Sequence, residues 1–253
     1  MARYQVILAY DGTHFVGFQR QSLSNGRQRS VQGEIEIALR RLGWQGSTLL
    51  AAGRTDTGVH AAGQVIAFDL EWKHSSDELR QALNAYLPVD VAAQSARLAE
   101  PGFHPRYDAL ARHYRYHLYC QASRDPLRER FAWRVWPAVE LNVLQEVARL
   151  LIGQHDFKAF GAPLRPESST VRTVQAAEWR RSGESGLSFD ISANAFLYHM
   201  VRRLVFIQVQ VGQGRLAVED VRRGLETGNM PLPGMSPAHG LVLVDVVYPS
   251  QDG

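Results

Sequence analysis

The chain has 253 residues, 45% hydrophobic and 21% charged, a balance that excludes disordered, collagen-like and fibrous proteins and leaves one large folded domain or two of moderate size. Its net charge of +3 rests on 28 basic residues, of which Lys73 and Lys158 alone are lysines and the rest arginines. The arginine fork binds phosphate bidentately and stacks on bases, so this bias fits a nucleic-acid partner, although genome composition or thermal adaptation produces the same bias.

The opening run, MARYQVILAYDG, lacks the basic region, apolar stretch and small-residue cleavage site of a signal peptide. Residues 3 to 10 alternate as a strand, and 19 to 30, QRQSLSNGRQRS, read as an exposed loop whose Arg20, Arg27 and Arg29 are free to touch phosphates. Val31, Ile35, Ala38, Leu39 and Leu42 then recur at helical spacing over 31 to 43, ending at Gly43. Strands at 48 to 52 and 64 to 70 follow, joined by a long loop. A helix spans 76 to 87, with Ser76 as N-cap and Pro88 as stop, and a strand runs from 91 to 98. This β-α-β-β-α-β order is the ferredoxin-like unit.

The second half repeats the class. Strands are predicted at 111 to 120 and 132 to 136, a helix at 140 to 152, strands at 171 to 181 and 186 to 194, helices at 197 to 212 and 218 to 227, and a last strand at 241 to 248. Turn residues at Pro101-Gly102 mark the junction. The expected fold is α+β: two ferredoxin-like units, residues 1–104 and 105–253, joined into a continuous, mostly antiparallel sheet with helices on one face and a cleft on the other. The longest apolar stretches, MVRRLVFIQVQVG and LVLVDVVY, are too short and too polar to span a bilayer, so a cytoplasmic protein is expected. The single cysteine, Cys120, excludes an intramolecular disulfide framework and a cysteine-rich metal site; it reads as a buried small hydrophobe.

Three segments carry candidate chemistry. AAGRTDTGVHAAGQV, 51 to 65, sets Arg54, Asp56 and His60 among small residues that allow sharp turns and close approach. Its Asp56 is a candidate nucleophile or acceptor; the alternative is a structural loop in which Asp56 caps the amides of Thr57 to Val59. Asp56-Thr57-Gly58 is also the aspartic-protease triplet, but that dyad needs two carboxylates sharing a proton, and the polar residues preceding this single copy do not suit one. ILAYDGTHF, 7 to 15, shares Asp-Gly-Thr with phosphatases whose aspartyl nucleophile stands two residues earlier, where this chain has Ala9.

The second segment is RHYRYHLY. His113 and His117 have the zinc spacing of a helix, yet the segment alternates as a strand, where residues four apart lie roughly 13 Å from each other at about 3.3 Å per residue, too far to chelate. Alternation puts Tyr114, Tyr116 and Leu118 on one face, an aromatic row that is core or, beside a basic cleft, a stacking surface for a base. In the third, SANAFLYHMVRRLV, Leu197, Met200, Val201, Leu204 and Val205 form a buried helical stripe with Arg202 at its edge.

Together these segments resemble the TruA family, the tRNA pseudouridine(38-40) synthases. The match runs through YDGTHFVGFQRQ, VQGEIEIAL, GRTDTGVHAAGQV, NAYLPVDV, FHPRYDALARHYRYHLY, HDFKAF, and NAFLYHMVRRLV followed by VGQG. Pro105 and Asp108 stand where the family has small residues, and Phe206 where it commonly has glycine. The resemblance implies that Asp56 is the catalytic aspartate, which attacks the target uridine so that the base leaves the ribose, rotates and rejoins through carbon 5. It implies that Tyr114 stacks on the uracil, that Arg202 pairs with and places the aspartate, and that Arg54 helps hold a flipped nucleotide. Arg20, Arg27, Arg29, His60 and Arg106 are the further expected RNA contacts. The implied partners are the anticodon stem-loop of tRNA and a second copy in a symmetric homodimer, with no cofactor and no catalytic metal. The rival reading is a catalytically silent RNA-binding module of the same strand order, against which GQVIAFDL offers one aromatic, Phe68, where several are expected.

Overall fold

The N-terminal alternation becomes β1, Ala2–Tyr10, in a computed structural model that describes residues 1–20 and 28–249. A short 3-10 turn, Gly12–His14, leads toward α1, Val31–Arg41, which begins at Ser30 with its Oγ accepting the Gly33 N–H and stops before Gly43 at φ +90°. A glycine in the left-handed region just past the last turn is the common way to end a helix. Next come β2, Leu50–Ala51, β3, His60–Leu70, α2, Ser76–Tyr86, and β4, Val91–Leu98. The α2 N-cap is Ser75, one residue before the expected one, because Ser75 and Glu78 close a reciprocal capping box.

By its internal contacts the chain divides into two units, Met1–Leu110 with the segment from Leu243 onward, and Ala111–Val242. The sequence reading sets the boundary at 104/105 and leaves the last strand wholly in the second half. In the first unit the strand order is β4-β1-β3-β10, with β10 being Leu241–Val247 and β2 set against β3. β1 runs antiparallel to both neighbours, in a register that pairs Tyr4 with Phe68 and Arg3 with Asp69. Val6, Leu8, Ile66 and Phe68 from the sheet, with Ile35, Leu39, Leu79 and Leu83 from the helices, form its core. Burying each such side chain contributes about 1.5–3 kcal/mol. Phe68 is itself buried and stacked on Tyr4, so β3 offers no aromatic to a base.

The second unit holds β5, Ala111–Cys120, flanked by parallel β6, Trp133–Val135, and antiparallel β9, Gly186–Ala193. Beyond β9 lie β8, Val171–Arg181, and β7, Gly153–Asp156. The helices are α3, Leu141–Leu150, α4, Met200–Gly212, and α5, Val218–Thr227. Tyr116, Phe189 and Trp179 line up across β5, β9 and β8 and are fully buried; the indole N–H donates to Gln208 Oε1 of α4 at 2.8 Å. Cys120, at the end of β5, is half-buried rather than buried. Among the described residues no helix is long and apolar enough to cross a membrane.

Strand β7 and the start of α4 differ from the sequence reading. The strand β7, a four-residue Gly-Gln-His-Asp, carries too few apolar residues to show alternation and is held by pairing with β8. α4 starts at Met200, not 197, because His199 adopts φ +65° and Tyr198 exchanges both backbone hydrogen bonds with Ala162.

Candidate active site

Asp56 lies in the loop between β2 and β3, half-buried, one residue beyond buried Thr55. Its carbonyl accepts the Val59 N–H at 3.1 Å, closing a turn in which Gly58 takes φ +78°. The flanking backbone is held from three directions. Gln64 Nε2 donates to Gly53 O at 3.0 Å, the Phe18 N–H donates to Thr55 O at 3.0 Å, and the Tyr10 hydroxyl lies 2.8 Å from Thr55 Oγ1.

Two glycines bring the outlet of β1 against this loop. A Cβ on Gly12 would fall 2.0 Å from the Val59 carbonyl oxygen. On Gly17, at φ +101°, one would fall 2.9 Å from Thr55 O. Neither position accepts a larger residue without moving the loop.

His60, expected to contact RNA, is 4% exposed at this corner. Its Nδ1 accepts the Gly12 N–H at 3.0 Å. Asp11 Oδ1 lies 3.1 Å from the same nitrogen, but that oxygen takes the Thr13 N–H and hydroxyl.

Burial pushes the Tyr10 phenol up to about 12, with hydrogen bonding to Thr55 and Gln64 working the other way. Tyr10 therefore stays protonated throughout the physiological range.

The expected arginine contacts divide by their partners. Arg54 is exposed on the Asp56 loop, and Arg106 is exposed beside the 75% exposed ring of Tyr107. Arg29 is not free for phosphate: its fork grips Asp90 at 2.6 and 2.8 Å, its Nε reaches Glu34 at 3.2 Å, and it covers the Phe15 ring at 4.4 Å. Asp90 raises its pKa further. Arg20 is likewise engaged, donating at 2.8 Å to Glu36, a buried carboxylate that also accepts from Gln32. Arg27 lies outside the described residues.

In the second unit Tyr114 is half-buried, its ring edge-on to Phe196 at 5.1 Å. Arg202, on the first turn of α4, donates Nε–H to Ser236 O at 2.9 Å, and the Ser236 N–H returns a bond to Arg202 O at 3.1 Å. The Tyr116 hydroxyl donates to neighbouring Pro237 O at 2.8 Å, and its burial raises the phenol pKa. Arg202 is thus tied to the main chain at Ser236.

His113 and His117 lie on a strand, as alternation implies, and His113 pairs with Asp190 at 2.7 Å. Among the described residues no group of three or more His, Cys, Asp or Glu side chains is placed to hold a metal ion. Tyr10 and Thr55 were legible only as core and loop residues; the glycines of YDGTHFVGF were the signal that this stretch meets another backbone closely.

A family model for tRNA pseudouridine synthases matches residues 6–108 and 147–249. A protein of Streptococcus equi subsp. equi named tRNA pseudouridine synthase A is 39% identical over 251 residues, spanning 98% of this chain and 99% of its own. Proteins of the same name from Geobacillus kaustophilus and Exiguobacterium sp. are 40% identical over 97% of this chain and 94% of theirs, and 36% identical over the whole of both. A crystal structure of a Cbf5-Nop10-Gar1 complex aligns over 81% of this chain and 44% of that one at 11% identity and a TM-score of 0.37, too distant to inform the site. With a family match over both halves and end-to-end relatives near 40% identity, the chain belongs to the TruA family of tRNA pseudouridine synthases and is an isomerase.

Proposed function

We propose that this enzyme converts uridines at positions 38, 39 and 40 of the tRNA anticodon stem-loop to pseudouridine, with Asp56 as the nucleophile. The observation that carries the reading is the bracing of the Asp56 loop: a half-buried carboxyl on backbone held at Gly53, Thr55 and Asp56 itself. A reacting carboxylate needs such fixed geometry, whereas a surface aspartate does not.

In the reaction the N1–C1′ bond breaks, the uracil turns, and C5 bonds to C1′. C5 loses a proton and N1 ends with one, so the product is an isomer and no electrons are exchanged. A carboxylate suits this because it forms a covalent adduct and still departs. Tyr114 as the uracil's stacking partner and Arg202 as the arginine of the catalytic set are carried from the family motifs. Exposed Arg54 and Arg106 are the side chains assigned to RNA; Arg20, half-exposed, reaches phosphate only while keeping Glu36, and Arg29 and His60 serve the fold. Extruding the target nucleotide costs a few kcal/mol, which phosphate contacts offset. The working form is a cytoplasmic homodimer.

Mapping pseudouridines in unmodified tRNA after incubation with the enzyme tests the assignment. New modification confined to positions 38 to 40 supports it; modification elsewhere, with those positions unchanged, overturns it.

A further inference from the structure

We propose that Tyr10 is a positioning residue for the isomerisation: its buried hydroxyl, bonded to Thr55, fixes the backbone from which the Asp56 carboxyl projects. The inference rests on Asp56 being the nucleophile.

Tyr10 ends β1 and is paired with Ala61 of β3 on one side and Val91 of β4 on the other, so its backbone is held by two strands. Its ring packs against Phe18 at 6.3 Å. These two aromatics hold both oxygens of Thr55, Tyr10 through its hydroxyl at 2.8 Å and Phe18 through its backbone N–H at 3.0 Å. Thr55 is 7% exposed and directly precedes Asp56. With side chain and carbonyl both anchored, rotation of the peptide entering Asp56 is restricted.

A phenylalanine would fill the same space in β1 without burying a hydroxyl, which costs free energy unless it is bonded. The Tyr10 hydroxyl has a bond at Thr55, on the catalytic loop, beside its hydrogen bonding to Gln64 of β3. Gln64, fully buried, holds Gly53 on the other side of Asp56. The first strand's end is thereby coupled to the reacting group without touching substrate.

The test measures kcat and KM for unmodified tRNA by release of tritium from uridine C5, in wild type, Tyr10→Phe, Thr55→Val, Thr55→Ser and Asp56→Ala, with thermal denaturation of each. A displacement near 1 Å costs about 100-fold in rate, so Tyr10→Phe and Thr55→Val are expected to lower kcat by roughly 10- to 100-fold with KM within about twofold. Thr55→Ser, which keeps the hydroxyl, restores most of kcat. The Tyr10→Phe loss is the same factor from about pH 6 to about pH 9, because the phenol does not titrate there.

Wild-type kcat in both Tyr10→Phe and Thr55→Val overturns the proposal. So does a loss of kcat matched by KM and melting temperature, which marks general loosening. If Tyr10→Phe does not fold, the contrast between Thr55→Val and Thr55→Ser decides. Turnover by Asp56→Ala overturns the nucleophile and this inference together; an inactive Asp56→Ala beside a fully active Tyr10→Phe overturns the positioning role alone.

Discussion

Gly17 is a single-atom constraint on the Asp56 loop. Its φ of +101° and the 2.9 Å separation of an added Cβ from Thr55 O mean that Gly17→Ala strains one backbone and displaces the other. We expect a cost of about 1–3 kcal/mol in unfolding free energy and a drop in kcat larger than any change in tRNA affinity, read by denaturant melts and filter binding. Arg20 acts through charge instead: Arg20→Ala leaves the buried Glu36 carboxylate on Gln32 Nε2 and the Leu49 N–H. Hydrogen bonds to a charged group contribute about 1.5–3 kcal/mol, less here because Arg20 is half-exposed, so a measurable fall in melting temperature is expected. At this scale the sequence makes Asp56 conspicuous and hides its supports. Tyr10 alternates like any core residue, and loop arginines look available until the fold places Asp90 and Glu36 beside them.

At the scale of elements, strongly patterned segments were legible and weakly patterned ones were not. β1, α1, β8 and α5 lie within a residue or two of where periodicity puts them, while β3 begins four residues earlier than its apolar run, since His60, Ala61, Ala62 and Gly63 carry no alternation. Two of the departures from family pattern have local answers. Asp108 accepts the His104 N–H at 2.8 Å to close its own turn, and the Phe206 ring occupies the space where Gly234 has no side chain; nothing in the structure explains Pro105. The β1–β3 pair also makes a pH prediction. Hydrogen bonding to Arg3 holds Asp69 below its ordinary value of 3.8, opposed by desolvation. A depressed carboxylate contributes stability that is present above its unfolded value and lost as pH falls through the folded one. Arg3→Met should therefore lower the melting temperature at pH 7, and this deficit should shrink as pH falls from about 5 to about 2; a deficit constant with pH would contradict the pairing.

For the whole molecule, the two-unit organisation was legible from the doubled order of elements, but the return of the last strand to the first unit was not, since a strand's sequence does not state which sheet it joins. On the proposed function, RNA affinity is spread over several arginine contacts to phosphate. Each arginine contact to phosphate releases a counterion, so Arg54→Ala and Arg106→Ala should each flatten the dependence of log affinity on log salt by about 1, whereas Arg29→Ala should chiefly lower stability. Binding spread over many such contacts predicts that chemistry and affinity separate at Asp56. The most direct measurement is tritium release from tRNA labelled at uridine C5, with tRNA binding measured in parallel, for wild type and Asp56→Ala. The account predicts release by wild type and none by the variant, with affinity within a few-fold. Release by Asp56→Ala at the wild-type rate, or affinity lost in proportion to turnover, would contradict it.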